Sequence, residues 1–218
     1  GIFCHFNDEN IYNVKVLIIG PRDSPYQGGF YMFDLNYPHN YPLNPPSVKF
    51  ISMSRSARIH PNLYANGKVC LSFLGTWSGP PWTSCLNLTT ILLSILSLFN
   101  ENPIVNEPGY ENETGNKGKL FKSMVDYYNI TLYTISVLQY IQDNDNCFKS
   151  VIERHFVQNY DNYCDQLDKH ESVEYYVRNI YGNDVYVEYN YNKNALYLFK
   201  NICLNNISIQ ANTEEEVE

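Results

Sequence analysis

The sequence predicts an α+β fold: a four-stranded antiparallel meander, a central apolar helix, then C-terminal helices. Three observations predict it. Apolar and polar residues alternate with period two in four short runs before residue 53. Short polar, Pro- and Gly-containing connections separate those runs, as in an antiparallel meander. From Leu88 to Phe99 the apolar residues change to helical spacing.

Taken in order, Ile2 to Phe6 reads as a strand and Asp8-Glu9-Asn10 as its turn. Ile11 to Ile19 is a second strand, with Tyr12, Val14, Val16 and Ile18 alternating with Asn13, Lys15 and Leu17. Gly20-Pro21-Arg22-Asp23 ends it, since proline has no N–H to give a ladder. Phe30 to Asn36 is the third, with Tyr31, Phe33 and Leu35 on one face, and Ser47 to Ser52 the fourth. Between them, Tyr41-Pro42 and Pro45-Pro46 fix φ and stiffen the connection. Asn87 is placed to cap the helix that follows. Leu88, Ile91, Leu92, Ile95, Leu96 and Phe99 form its face, and Leu93 and Leu98 widen it, so this helix is expected to be buried on most sides.

Asn100 to Gly115 is irregular. Lys117 to Asp143 carries an interrupted helical stripe, and Cys147 to His170 reads as one further helix. Residues 1–170 are taken as the main domain and 171–218 as an extension. Within the extension, Val185, Val187 and Tyr189 alternate after a Gly182-Asn183-Asp184 turn, which fits a hairpin or additional helices equally. Ala211 to Glu218, with its run of glutamates, is expected to be a solvated tail.

Bulk properties narrow the function classes. A net charge of −8 over 218 residues argues against nucleic acid or an anionic membrane as the main partner. The longest apolar run, Ile91 to Phe99, is too short to span a bilayer. Six cysteines, at 4, 70, 85, 147, 164 and 203, form no dense framework. That points to a reducing compartment, cytoplasm or nucleus. No zinc-type ligand spacing is present, so no metal is expected.

The chemistry concentrates between His60 and Trp77. This stretch offers a thiol, Cys70, and a carboxamide, Asn62, on either side of an Ala65-Asn66-Gly67 turn that tolerates positive φ. A thiolate is a strong nucleophile, and an amide N–H₂ can stabilise an oxyanion, so the pair suits acyl transfer through a thioester. The requirement is geometric: the Cys70 sulfur should lie open in a shallow groove beside the amide. A lone cysteine is otherwise a small buried hydrophobe, which is the expectation for Cys85 at the helix entrance.

His60-Pro61-Asn62, Tyr64, Asn66-Gly67 and Cys70-Leu71 resemble the active-site signature of ubiquitin-conjugating enzymes. Gly20-Pro21, Pro25-Tyr26, Gly28-Gly29 and Tyr41-Pro42-Leu43-Asn44-Pro45-Pro46 look like that family's preceding loops, in the same order. Trp77 with Asn106-Glu107-Pro108-Gly109-Tyr110-Glu111 looks most like the large members that combine conjugating and ligase activity. The resemblance covers about residues 1–170.

It implies the family's UBC fold, with the first helix missing because Gly1 stands at the entrance to the first strand. It also implies that Cys70 accepts ubiquitin, or a ubiquitin-like protein, from an activating enzyme and passes it to a lysine amine of a protein substrate. ATP is then consumed by the activating enzyme, and no cofactor is needed here. Asn62 either donates to the oxyanion or holds the loop. His60 and Pro61 are structural, Tyr64 and Asn66 support the turn, and Asn106 and Glu107 are candidates for a gate beside the incoming lysine. Leu43 occupies the often aromatic ligase-docking position, with Pro45, Trp77 and Pro80 as further partner contacts. The alternatives are a non-catalytic ubiquitin- or ligase-binding module on the same fold, and a cysteine hydrolase, for which no Cys and His signature is evident.

Overall fold

The computed structural model describes residues 1–169, 174–189 and 192–215. Strands β1 (Ile2–Phe6), β2 (Asn13–Ile19), β3 (Phe30–Asn36) and β4 (Ser47–Ile51) form one antiparallel sheet in chain order. The second strand starts two residues later than its alternation implied, since Asn7, Asn10 and Asn13 close a turn by backbone bonds and leave Ile11 and Tyr12 exposed.

Register places Val16 opposite Phe33 and Phe33 opposite Phe50, so these three share a face. Tyr133 lies on that face, stacked 4.8 Å from Tyr31 and 5.6 Å from Phe50 between ring centroids. Phe99 adds a ring 4.6 Å from Tyr31. The opposite face of β3 is covered as well: Phe30 meets His155 edge-on, and Asn146 reaches the Met32 sulfur. Covered on both faces, β2 and β3 lose the polar side a half-exposed strand would show.

Helix α1 (Leu88–Leu98) begins where the Asn87 side chain accepts the Thr90 N–H at 3.1 Å. It buries Ile91, Leu92, Ile95 and Leu98 but leaves Leu93 54% exposed, so it is a one-sided core helix and is not enclosed on most sides. The stripe from Lys117 to Asp143 is one rod of three parts: α2 (Asn116–Ile130), a π-helical stretch (Thr131–Ser136) and α3 (Val137–Asp143). The wider π turn carries Tyr133 onto the sheet and explains why the helical stripe looks interrupted.

The next predicted helix is two helices, α4 (Lys149–Gln158) and α5 (Tyr160–Asp168). They break at Asn159, whose side-chain amide donates to the His155 carbonyl at 2.9 Å and competes with the helical ladder. His170 lies outside the described residues.

Of the two readings left open for the extension, the alternating stretch with Val185 and Val187 takes the hairpin, and a helix follows it. Strands β5 (Glu174–Arg178) and β6 (Asp184–Glu188) pair as a hairpin, and α6 (Asn192–Glu215) follows. Residues 211–215, expected to be a solvated tail, are the end of α6; 216–218 lie outside the described residues. The helix persists because it is anchored upstream. Leu196, Phe199 and Cys203 recur at i, i+3 and i+7 and are buried in the common core with Val177, Val185 and Val187. Asn206 then donates to the fully buried Glu153 of α4 at 2.7 Å, alongside Gln142 at 2.9 Å.

Candidate active site

The Cys70 turn is built from backbone pairing before any chemistry is added. Tyr64 and Lys68 are bonded across Ala65-Asn66-Gly67, with Tyr64 N–H donating to the Lys68 carbonyl at 3.0 Å and the Asn66 side chain accepting Lys68 N–H at 3.1 Å. Gly67 has φ +92°, and a Cβ there would stand 2.9 Å from the Phe50 carbonyl oxygen, so the position needs glycine. Its own carbonyl accepts Phe50 N–H at 2.8 Å, which ties the turn to β4.

Within that frame Asn62 and Cys70 are joined twice. Cys70 N–H donates to the Asn62 carbonyl at 2.9 Å, and the Asn62 side-chain amide donates to the Cys70 carbonyl at 2.8 Å. The turn therefore does bring the carboxamide to the cysteine, as its spacing implied. The amide, however, is aimed at the Cys70 backbone, and the thiol is not open in a groove: Cys70 is only 1% exposed.

The chain returns to this backbone downstream. The Thr76 hydroxyl folds back to the segment on either side of Cys70, donating to the Val69 carbonyl at 2.6 Å, with the Leu71 carbonyl at 3.1 Å, and accepting Leu71 N–H at 3.0 Å. A 3₁₀ turn over Ser72–Leu74 starts this return, and left-handed Gly75 ends it. Thr76 gave no signal in the sequence beyond being a threonine near a glycine.

His60 is fully buried; its Nδ1 accepts Asn62 N–H at 2.9 Å. Burial drives its pKa down to about 3, outweighing the Leu98 backbone contact that favours the charged form. The ring is thus a neutral structural acceptor. Pro61 is buried beside it, and its carbonyl accepts a bond from Arg58.

Arg58 is a residue that sequence reading passed over. Its guanidinium lies between two aromatic rings, 3.8 Å from the Tyr64 centroid and 4.3 Å from that of Tyr181. It also pairs with Glu107 at 3.5 Å, and the Tyr181 hydroxyl donates to the same carboxylate oxygen at 3.0 Å. Glu107 is therefore joined to the Pro61 segment through Arg58. Asn106 instead donates within its own 3₁₀ turn, to the Pro103 carbonyl at 3.2 Å.

The partner-contact residues lie on exposed loops. Leu43 is 75% exposed, Trp77 and Pro80 are exposed, and Pro45 is half-buried. Trp82 and Ser84 both donate to the Pro42 carbonyl, at 2.8 and 3.1 Å, so the proline loop and the segment after Trp77 are held together. Cys85, expected to be buried, is exposed, because α1 turns its apolar face inward only from Leu88 onward. All six cysteines are free thiols.

A family model described as ubiquitin-conjugating enzyme matches residues 1–129. Ubiquitin-conjugating enzyme E2 Z of Xenopus tropicalis is 38% identical over 165 residues, covering 75% of this chain and 53% of that protein. The human dual E2 ubiquitin-conjugating enzyme/E3 ubiquitin-protein ligase BIRC6 is 39% identical over 164 residues, covering 72% of this chain and 3% of that protein. Among solved structures, the E2 domain of a Toxoplasma gondii ubiquitin conjugating enzyme aligns with a TM-score of 0.48 at 27% identity, over 61% of this chain and 88% of that one. The chain thus spans about half the length of the E2 Z relative and a small fraction of the BIRC6 protein.

Proposed function

This chain belongs to the ubiquitin-conjugating enzyme family, and from that premise we propose that Cys70 carries ubiquitin, or a ubiquitin-like protein, as a thioester. The observation that supports this most directly is the double bond pair between Asn62 and Cys70, which fixes the cysteine backbone at a defined place on a rigid turn. In the first step the Cys70 thiolate, once its buried sulfur is uncovered, attacks the thioester carbonyl on an activating enzyme and displaces that enzyme's thiolate. In the second a lysine amine of a protein substrate attacks the new thioester; an isopeptide bond forms, the Cys70 thiolate leaves, and the amine gives up a proton to solvent or a nearby base. ATP is consumed earlier, by the activating enzyme, and this chain needs no metal or organic cofactor.

In this reading Asn62 holds the turn, because its amide is directed at the Cys70 carbonyl. His60, Pro61, Tyr64 and Asn66 support it, with Glu107 fastened beside Pro61 through Arg58 and Asn106 in the adjoining turn. Leu43, Pro45, Trp77 and Pro80 offer the surface for a ligase, since that rim is exposed and held together at Pro42. The reaction would take place in the cytoplasm or nucleus.

The test is incubation with activating enzyme, ATP and ubiquitin, repeated with several ubiquitin-like proteins. A thiol-sensitive adduct absent from Cys70→Ala is the expected result, and Cys70→Ser should give a thiol-resistant ester. A wild-type chain that binds ubiquitin or a ligase but never forms an adduct would replace this reading with a non-catalytic module.

A further inference from the structure

Among the described residues, the C-terminal extension reaches the segment before Cys70 through a specific contact at Tyr181. Tyr181, in the turn between β5 and β6, places its ring on one face of the Arg58 guanidinium while Tyr64 occupies the other. Its hydroxyl donates to Glu107 at 3.0 Å, and Arg58 reaches both Glu107 and the Pro61 carbonyl. The tyrosine itself is held firmly: Asn179 accepts the Tyr181 N–H at 2.9 Å, and Phe121 of α2 meets its ring edge-on. Arg58 is about one-fifth exposed, so a planar cation largely out of solvent is fixed between two rings and two oxygen acceptors.

We propose that Tyr181 is a positioning residue for the Cys70 reaction, acting through Arg58 to hold the His60-Pro61-Asn62 segment, and with it Asn62 and Cys70, in register. The extension is then a working part of the active site. Arg58 bonds the Pro61 carbonyl, the next residue is Asn62, and Asn62 makes both bonds that place Cys70. Loosening Arg58 releases the first link of that series. The same contact fastens Glu107, which the family resemblance offers as a gate beside the incoming lysine. The clamp rests on the proposed thioester chemistry for its consequence, and on geometry alone for its existence.

The experiment compares wild type, Tyr181→Ala, Tyr181→Phe and Tyr176→Ala in the full chain. Tyr176 stands on the same hairpin, is 76% exposed and touches none of these groups, so its variant controls for changes to the hairpin. Each protein is loaded with ubiquitin, and discharge to free lysine is followed in a single turnover, with melting temperature measured in parallel. Tyr181→Ala should load but discharge about three- to ten-fold more slowly, the range expected when a stacked cation loses one aromatic face. Tyr181→Phe keeps the stack and should recover most of the rate; Tyr176→Ala should match wild type.

Amide hydrogen exchange supplies a readout that does not depend on catalysis. In Tyr181→Ala the amides of Asn62, Leu63, Tyr64 and Cys70 should exchange at least several-fold faster, while those of α1 are unchanged. If wild type fails to load, the thioester reading fails, and exchange alone judges the clamp. Unchanged exchange in that segment overturns the clamp. Wild-type discharge by a folded Tyr181→Ala that does exchange faster overturns its role in the reaction.

Discussion

Replacing Asn62 by alanine separates the two roles a carboxamide can play beside a transferring thioester. The side-chain amide makes one buried bond, to the Cys70 carbonyl at 2.8 Å, and its oxygen has no partner among the described residues. Truncation removes a bond with a net value of about 1 kcal/mol and orphans a buried carbonyl at a cost of about 1–3 kcal/mol. It also removes the unpartnered Asn62 oxygen, which offsets part of that loss. A net destabilisation of about 1–2 kcal/mol remains, and for a chain of this size that lowers the melting temperature by roughly 2–8 °C. Because the lost bond is to the cysteine itself, loading and discharge should both slow. Calorimetry, loading and lysine discharge on the one variant decide the matter. An unchanged melting temperature and normal loading, with discharge down by about a hundredfold, would match loss of an oxyanion donor and refute the loop-holding argument.

Two further outcomes test other parts of the fold. Asn206→Ala removes the amide's bonds to the buried Glu153 side chain at 2.7 Å and to Gln142 at 3.0 Å, and among the described residues the second Glu153 oxygen is already unpartnered; urea denaturation should show a loss of about 2–3 kcal/mol, and a loss under about 0.5 kcal/mol would mean that α6 is held by its apolar side chains with its Lys193–Asp168 and Lys200–Tyr160 contacts. Asp126 lines a cavity of about 490 Å³ with Lys122 and Lys169, and burial lifts its pKa from 3.8 to about 7 against the pull of both lysines. Between those pH values the folded chain keeps a proton the unfolded chain has lost, so this group's contribution to stability is full below pH 3.8 and is lost as pH rises to 7. Asp126→Asn should therefore gain on wild type by up to about 1.4 kcal/mol per pH unit across that window in denaturation titrations, and a pH-independent difference would contradict the burial argument.

What the sequence made legible was whatever rests on local periodicity and short-range side-chain chemistry. The four strands follow from alternation, Asn87 caps its helix because a carboxamide suits that position, and the Asn66-Gly67 turn is written in its own residues. The contacts that set accessibility were not legible. Leu93 is exposed because of which way α1 faces the core, a tertiary choice that the width of an apolar stripe does not record, and Cys85 stands exposed before the helix begins. Asn159 breaks a continuous helical pattern through one side-chain bond. Arg58 and Tyr181 lie 123 positions apart in the chain, and no spacing rule connects an arginine before one turn to a tyrosine in another.

The burial of Cys70 has a direction, and the bonding pattern supplies it. On its upstream side the cysteine is fixed at both backbone groups to Asn62, which is itself bonded to His60 and, through Pro61, to Arg58. Downstream, the Thr76 hydroxyl and the Ser72–Gly75 turn bond the backbone that follows Cys70, in a segment with left-handed glycines at 75 and 79 whose Leu71, Phe73 and Leu74 pack against the core. A carbonyl carbon must approach the sulfur for acyl transfer to occur, so the proposed reaction requires one side of this enclosure to yield. Opening the upstream side would break several buried bonds and displace the nucleophile. Opening the downstream side would break the Thr76 bonds and part of the Ser72–Gly75 turn, and would leave both Asn62–Cys70 bonds in place. If Cys70 carries the thioester, the side expected to yield is Ser72 to Pro80, and the side expected to stay is Asn62, whose two bonds hold the cysteine backbone.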